Sequence, residues 1–254
     1  MKRVLTALAL IPIVAWVVLW ADWRVFLAVL LAVACLCYRE FDQIAAGYGF
    51  GAPGVVGYGA GMLMLVAWDV PWIAVVGLTV IALMLVMRDQ DLARALPRAA
   101  LLVTGVLYVF GCWKCARGLR EVNPHWLMYG LLLNWVGDIG AYYIGRRFGK
   151  HKLAPQVSPN KSWEGSAASV LTSTLLGSLY LHQFLPSVPW WQAAALTAGA
   201  NIAGQLGDLA ESAMKRGAHV KDSGDLLPGH GGFLDRVDST LFALPVIYAY
   251  LRLV

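Results

Sequence analysis

Val4–Trp20 reads VLTALALIPIVAWVVLW, a run without a single charge, and Trp72–Met87 is similar, as WIAVVGLTVIALMLVM. A helix at a protein surface in water keeps a polar face, and these runs have none. Uncharged stretches of this length suit the hydrocarbon core of a bilayer. The pattern extends outward through the chain. Its 254 residues are 59% hydrophobic and 14% charged, with a mean hydropathy of +0.63, where a soluble domain carries about 25% charged residues. Apolar segments fall near 4–20, 25–38, 55–68, 72–87, 99–119, 126–145, 163–185, 190–214 and 234–252. The expected fold class is therefore an all-α integral membrane protein of about nine transmembrane helices, a single polytopic domain over 1–254.

The net charge is +5, and its distribution orients the chain. With the N-terminus inside, 15 of the 20 Lys and Arg lie at cytoplasmic ends and loops, which favours N-in and C-out. Lys114, Arg117 and Arg120 are the misfits, clustered on the opposite side. The N-terminal Lys2-Arg3 and its apolar run resemble a signal peptide, but the apolar stretch continues almost unbroken to Tyr38. An uncleaved helical hairpin is expected there, because a signal core is short and single.

Two local patterns carry less than they suggest. Gly49, Gly51 and Gly54 form a nominal G-x-G-x-x-G, yet no strand precedes them and no βαβ unit follows. Gly57 and Gly61 instead have the spacing of a closely packed helix. Cys112 and Cys115 have the spacing of a metal half-site with no matching second pair. Together with Cys35 and Cys37 they are read as small packing residues within apolar segments.

Ionisable residues inside membrane segments are costly and mark function by default. Asn201, Gln205, Asp208 and Ser212 recur at steps of four, three and four on one helix face; Asn134, Asp138 and Tyr142 recur every four. Asp235, Asp238 and Ser239 share a face at the start of the last segment. Asn134, Asn201 and Gln205 suit interhelical hydrogen bonding as well as they suit a site. The aspartates do not, because a buried carboxylate needs a cation or a strong donor set. Carboxylates from several helices suit Mg²⁺, which takes one or two of them and completes its shell with water and phosphates. Two polar connections lie nearby: GRRFGKHKLAPQVSPNKSWEG from Gly145, with five bases and one acid, and KDSGDLLPGHGGFLDRVD from Lys221. Acids, bases and glycines in this density suggest phosphoryl or nucleotidyl transfer at the membrane surface. Residues 1–120 then supply N-terminal helices, and 121–254 supply the helices and cytoplasmic loops of the active site.

The stretch Ser212–Asp238, SAMKRGAHVKDSGDLLPGHGGFLDRVD, closely resembles the signature of the phosphatidate cytidylyltransferases. Its Ser212, Lys215, Arg216, Lys221, Asp222, Pro228, His230, Gly231, Gly232, Asp235, Arg236 and Asp238 meet the family pattern. A second block, GDIGAYYIGRRFGKHKLAPQVSPNKSWEG from Gly137, is similar as well, with Ile139 and Ser162 where the family more often has Ser or Thr, and Thr. The resemblance implies transfer of CMP from CTP to phosphatidic acid, giving CDP-diacylglycerol and pyrophosphate for phospholipid biosynthesis. It further implies Mg²⁺ dependence, with room for a second cation, on the cytoplasmic face of the inner membrane. A homodimer is within the family's habit, and no nucleic-acid partner is expected.

By the same resemblance Asp208 and Asp235 are the principal metal ligands, with Asp138 and Asp238 as further ligands or their supports. Lys215, Arg216, Lys221 and Arg236 neutralise phosphate oxygens, Arg236 as a rigid fork of donors. Gly229, Gly231 and Gly232 let backbone N–H groups approach phosphates. His230 is a pyrophosphate contact or a general acid. Ser158, Lys161, Ser212 and Asp222 complete the expected substrate site, and Trp163 is either part of it or an interface anchor. Two rival readings stand beside this one: a cytidylyltransferase for another lipid phosphate, and a cation transporter built on the aspartates. Transporters favour internal repeats and midplane sites, whereas here no repeat is visible and the acids lie toward the cytoplasmic ends.

Overall fold

The computed structural model describes residues 2–50, 54–67, 69, 72–87, 91–226 and 231–254. In chain order these form α1 (Lys2–Leu19), α2 (Trp23–Gly47), α3 (Gly54–Val66), α4 (Trp72–Val86), α5 (Ala95–Gly105), α6 (Cys112–Val122), α7 (Pro124–Phe148), β1 (Lys152–Ala154), β2 (Ser158–Ser162), α8 (Trp163–Phe184), α9 (Trp190–Gly217) and α10 (Leu234–Leu253). A π-helical stretch, Val106–Gly111, joins α5 to α6. The predicted apolar segments lie largely in these helices, and among the described residues the helices are joined by one antiparallel hairpin that pairs Lys152 with Ser162 and Ala154 with Ser158. Among the described residues, one continuous helical run, Leu92–Val122, is long and apolar enough to cross a membrane. Leu10–Leu19, Gly54–Val66 and Trp72–Val86 are apolar but shorter. On α4 even the exposed side is apolar, carrying Ile73, Val76, Val80, Leu83 and Met84, as on a helix whose surroundings are not water.

The chain forms two compact units, each from separated stretches: Met1–Asp22, Cys115–Ala213 and Val237–Val254 in the first, Trp23–Lys114 and Met214–Arg236 in the second. In the first unit Asn123 caps α7, accepting from His125 N at 2.9 Å, with Pro124 in the opening turn. α7 packs along α8. Glycines line that seam, and a Cβ on Gly165 would lie 3.2 Å from Gly145 Cα, the small-residue approach expected of helices in lipid. Amides and hydroxyls then join the helices. Asn201 Nδ2 donates to Ser169 Oγ at 3.2 Å and Ser173 Oγ at 3.0 Å, and Ser173 Oγ donates to Leu133 O at 2.6 Å. Gln205 Nε2 donates to Ser166 O at 3.2 Å, and Asn134 Nδ2 to Thr240 Oγ1 at 3.4 Å.

In the second unit α2 buries Phe26, Leu30, Ala34, Tyr38 and Phe41. Gly57 and Gly61 face this core: a Cβ on the first would collide with the Tyr38 hydroxyl, and on the second with the Phe110 ring. Close helix packing is therefore their role. α9 ends in a left-handed residue, His219 (φ 60°), with Val220 N donating to Lys215 O at 2.9 Å and His219 N to Arg216 O at 3.0 Å. This is a Schellman cap with histidine where glycine is usual.

The three bases that disturb the charge pattern have local partners. Arg120 Nε donates to Val18 O at 2.8 Å and its Nη2 to Ala21 O at 2.5 Å. Lys114 Nζ donates to Ala67 O at 2.5 Å, just past the end of α3. Cations at helix C-termini meet carbonyls that the helix leaves unsatisfied. Arg117 pairs with Glu121 at 2.8 Å.

Candidate functional site

The first unit encloses a cavity of about 670 Å³ between α7, the hairpin, α8 and α9, within the range that holds small ligands. Two carboxylates, Asp138 and Asp208, and three cations, Arg146, Lys152 and Lys161, contribute to its wall, with Asn134, Asn160, Ser166, Asn201, Gln205 and Ser239 between them. Lys161 Nζ lies 2.5 Å from Asp208 Oδ2, with both side chains about a quarter to a third exposed. Ser212 Oγ donates to Asp208 Oδ1 at 3.3 Å. Lys161 reaches the cavity because the hairpin is braced on α8. Ser162 caps α8 by accepting from Gly165 N at 3.2 Å, and Glu164 Oε1 pairs with His151 Nδ1 at 2.7 Å. Tyr142 OH accepts from Arg146 Nη1 at 2.8 Å, one turn apart on α7.

The second unit holds another acid–base pair. Asp235, in the first turn of α10, accepts from Lys215 Nζ through Oδ1; its Oδ2 accepts from Ser223 N at 2.9 Å and Gly232 N at 2.8 Å. Both side chains of the pair are more than nine-tenths buried. Beneath them lies Glu40 of α2, fully buried. Its Oε1 accepts from Phe233 N at 2.9 Å, and its Oε2 from Leu234 N at 2.8 Å and Ser223 Oγ at 2.7 Å. Gly231 has φ +78°, a conformation that excludes most side chains.

Of the residues singled out from sequence, Asp138, Lys161, Asp208 and Ser212 come together in the first unit. Ser158 opens β2. Asp238 is buried there, and its Oδ1 accepts from Ser239 N at 2.6 Å. In the second unit Lys215 and Gly232 both donate to Asp235, and Arg216 Nη1 donates to Val220 O at 3.2 Å. Lys221, Asp222 and Arg236 are exposed. Gly229 and His230 lie outside the described residues. Glu40 was missed: it sits beyond an apolar segment, between Arg39 and Phe41, with no motif around it. Ser223, inside the family-like stretch, lacks a charge to draw notice.

Among the described residues no group of three or more His, Cys, Asp or Glu side chains gathers as a metal cluster. Mg²⁺ does not need one, because one or two carboxylates suffice when water and phosphates fill the shell. Asp138 and Asp208 on one cavity wall are a donor set of that kind.

A helical cavity of this size, with carboxylates set among amines and a guanidinium, has the makings of a site for phosphate esters. The chain belongs to the cytidylyltransferase family, whose model matches residues 1–254. It is similar to a phosphatidate cytidylyltransferase of Staphylococcus aureus (strain COL), 37% identical over 203 residues and 77% of each chain. A protein of the same name from Bacillus subtilis (strain 168) is 39% identical over 150 residues, 58% of this chain and 56% of the relative. One from Staphylococcus haemolyticus (strain JCSC1435) is 42% identical over 149 residues, 59% and 57% of the two chains. The matched stretch thus spans a little over half of the Bacillus and S. haemolyticus relatives.

Proposed function

We propose that this protein transfers CMP from CTP to phosphatidic acid, giving CDP-diacylglycerol and pyrophosphate. The observation that carries the reading is the cavity in which Asp138 and Asp208 stand among Arg146, Lys152 and Lys161, in a chain whose family and named relatives handle this chemistry. A phosphatidate oxygen attacks the α-phosphorus of CTP, and the bond to the bridging oxygen breaks as pyrophosphate takes the electron pair. Both reactants are anions, so the barrier is largely charge repulsion, and fixed cations with correct positioning lower it. Lys161 exchanges its carboxylate partner for a phosphate oxygen as substrate enters, and Arg146 and Lys152 meet further oxygens. Lys215, Arg216, Lys221 and Arg236 are the further cations of this reading, as neutralisers of phosphate oxygens.

Mg²⁺, when bound, supplies charge against the triphosphate. Asp208 and Asp138, which line one cavity, are its first candidates; Asp235, the other principal ligand expected from the sequence, has its oxygens engaged by Lys215 and two amides and stands with Asp238 as a further carboxylate. About nine helices span the inner membrane, N-in and C-out, with the site facing the cytoplasm. That placement suits a soluble nucleotide and a lipid whose phosphate lies at the interface.

Protein purified in detergent and mixed with CTP, phosphatidic acid and Mg²⁺ tests the reading, with pyrophosphate and CDP-lipid followed together. Equal yields are expected, lost on adding EDTA, on replacing CTP by ATP, and in Asp208→Asn. Folded wild-type protein that forms no CDP-lipid would overturn it.

A further inference from the structure

We propose that Glu40 is a positioning residue for this reaction: it ties Ser223 to the start of α10 at Phe233 and Leu234 and so presents the Lys215–Asp235 pair, without itself touching substrate. The inference rests on the cytidylyltransferase reading above.

A carboxylate taken wholly out of water must be met by donors, and Glu40 finds three. Two are the N–H groups of Phe233 and Leu234, where α10 begins. Such groups have no partner within the helix, and a negative charge at a helix N-terminus is favourable. The third donor is Ser223 Oγ. That hydroxyl also accepts from Asp235 N at 3.3 Å, while Ser223 N donates to Asp235 Oδ2 at 2.9 Å. Glu40 therefore reaches Asp235 by two routes, through the backbone of 233–234 and through Ser223. With Oδ2 taken by two amides, Asp235 is left with Oδ1 toward Lys215.

An ordinary buried helix cap would need only the two α10 amides. Here the same carboxylate also takes the loop hydroxyl that orients Asp235, and two loop glycines make room for it. A Cβ on Gly224 would lie 2.8 Å from Glu40 Oε1, and one on Gly232 would collide with Ser223 Oγ and Glu40 Oε2. Glutamine cannot replace it cleanly. Its amide nitrogen must face either Phe233 N–H or Leu234 N–H, a donor against a donor.

The test is steady-state kinetics of the full chain in detergent on Glu40→Gln, Ser223→Ala and the double variant. Fold is checked by far-UV circular dichroism and gel filtration. In folded Glu40→Gln, kcat should fall about 10- to 100-fold while KM for CTP and for phosphatidic acid stays within about threefold, because misplacing a reacting group costs turnover. Ser223→Ala should lose about 5- to 20-fold, and the double variant no more than about threefold beyond Glu40→Gln, since the two act through one link. A folded Glu40→Gln with kcat within about twofold of wild type overturns the proposal, as does a double loss equal to the product of the single ones. Should Glu40→Gln not fold, Ser223→Ala decides alone, and a wild-type kcat there overturns it. Wild-type protein that makes no CDP-lipid removes the functional reading and this inference together. Wild-type activity with an indifferent Glu40→Gln removes the inference only.

Discussion

Alanine at Gly137 would drive a methyl group into the hydrogen bonds that join three helices. The new Cβ would lie 2.5 Å from Asn201 Nδ2, 2.6 Å from Ser169 Oγ and 2.7 Å from Ser173 Oγ, so each neighbour must retreat by nearly an ångström. Both Asn201 bonds to these hydroxyls, 3.2 and 3.0 Å, would be lost. Side-chain bonds between helices in lipid average about 0.6 kcal/mol each, and overpacking adds about 1–3 kcal/mol. The better helix propensity of alanine returns about 1 kcal/mol. The net is a loss of about 1–3 kcal/mol, and at about 2–4 °C per kcal/mol for a chain of this size the unfolding midpoint falls by roughly 2–12 °C. Gly199, on α9 of the same unit, is the control: a Cβ there meets nothing within 4 Å, so Gly199→Ala should leave the midpoint unchanged or raise it slightly. Tryptophan fluorescence during heating in detergent, at one scan rate, measures both. A Gly137→Ala midpoint equal to or above that of Gly199→Ala would refute the close α7–α8–α9 seam.

Lys161→Met should raise KM for CTP about 10- to 100-fold in initial-rate assays, because it removes a cavity cation that a phosphate would otherwise meet. An unchanged KM would show that Lys161 serves only Asp208. Arg120→Met removes charge-assisted bonds to Val18 O and Ala21 O, worth about 1.5–3 kcal/mol each at most. Its midpoint should drop by several degrees with KM for both substrates unchanged, and a shift in KM without a loss of stability would contradict the helix-capping role.

How much was legible varies with the kind of residue. The helices followed from hydropathy, since uncharged runs such as Val4–Trp20 and Trp72–Met87 leave little choice of secondary structure. Gly57 and Gly61 were read as packing glycines from spacing alone, and the Tyr38 and Phe110 contacts agree. Lys114, Arg117 and Arg120 were opaque, because charge counting registers which side a base lies on and not the carbonyl it meets. The hairpin in 152–162 was likewise unseen: with Pro155 and Pro159 within or beside two short strands, no period of two could form.

The sequence by itself determined the helical, apolar character of the chain, its family, and the acids and bases concentrated in 137–165 and 207–238. These are properties of residues and their near neighbours, so a linear reading retains them. Only the tertiary structure decided which acid meets which base. Lys161 comes from the hairpin and Asp208 from the middle of α9, while Lys215, less than two turns past Asp208, pairs instead with Asp235. Glu40 shows the limit most plainly. Its three donors lie more than 180 residues away, and a single acid beside an apolar segment gains a role only when folding brings the start of α10 against it.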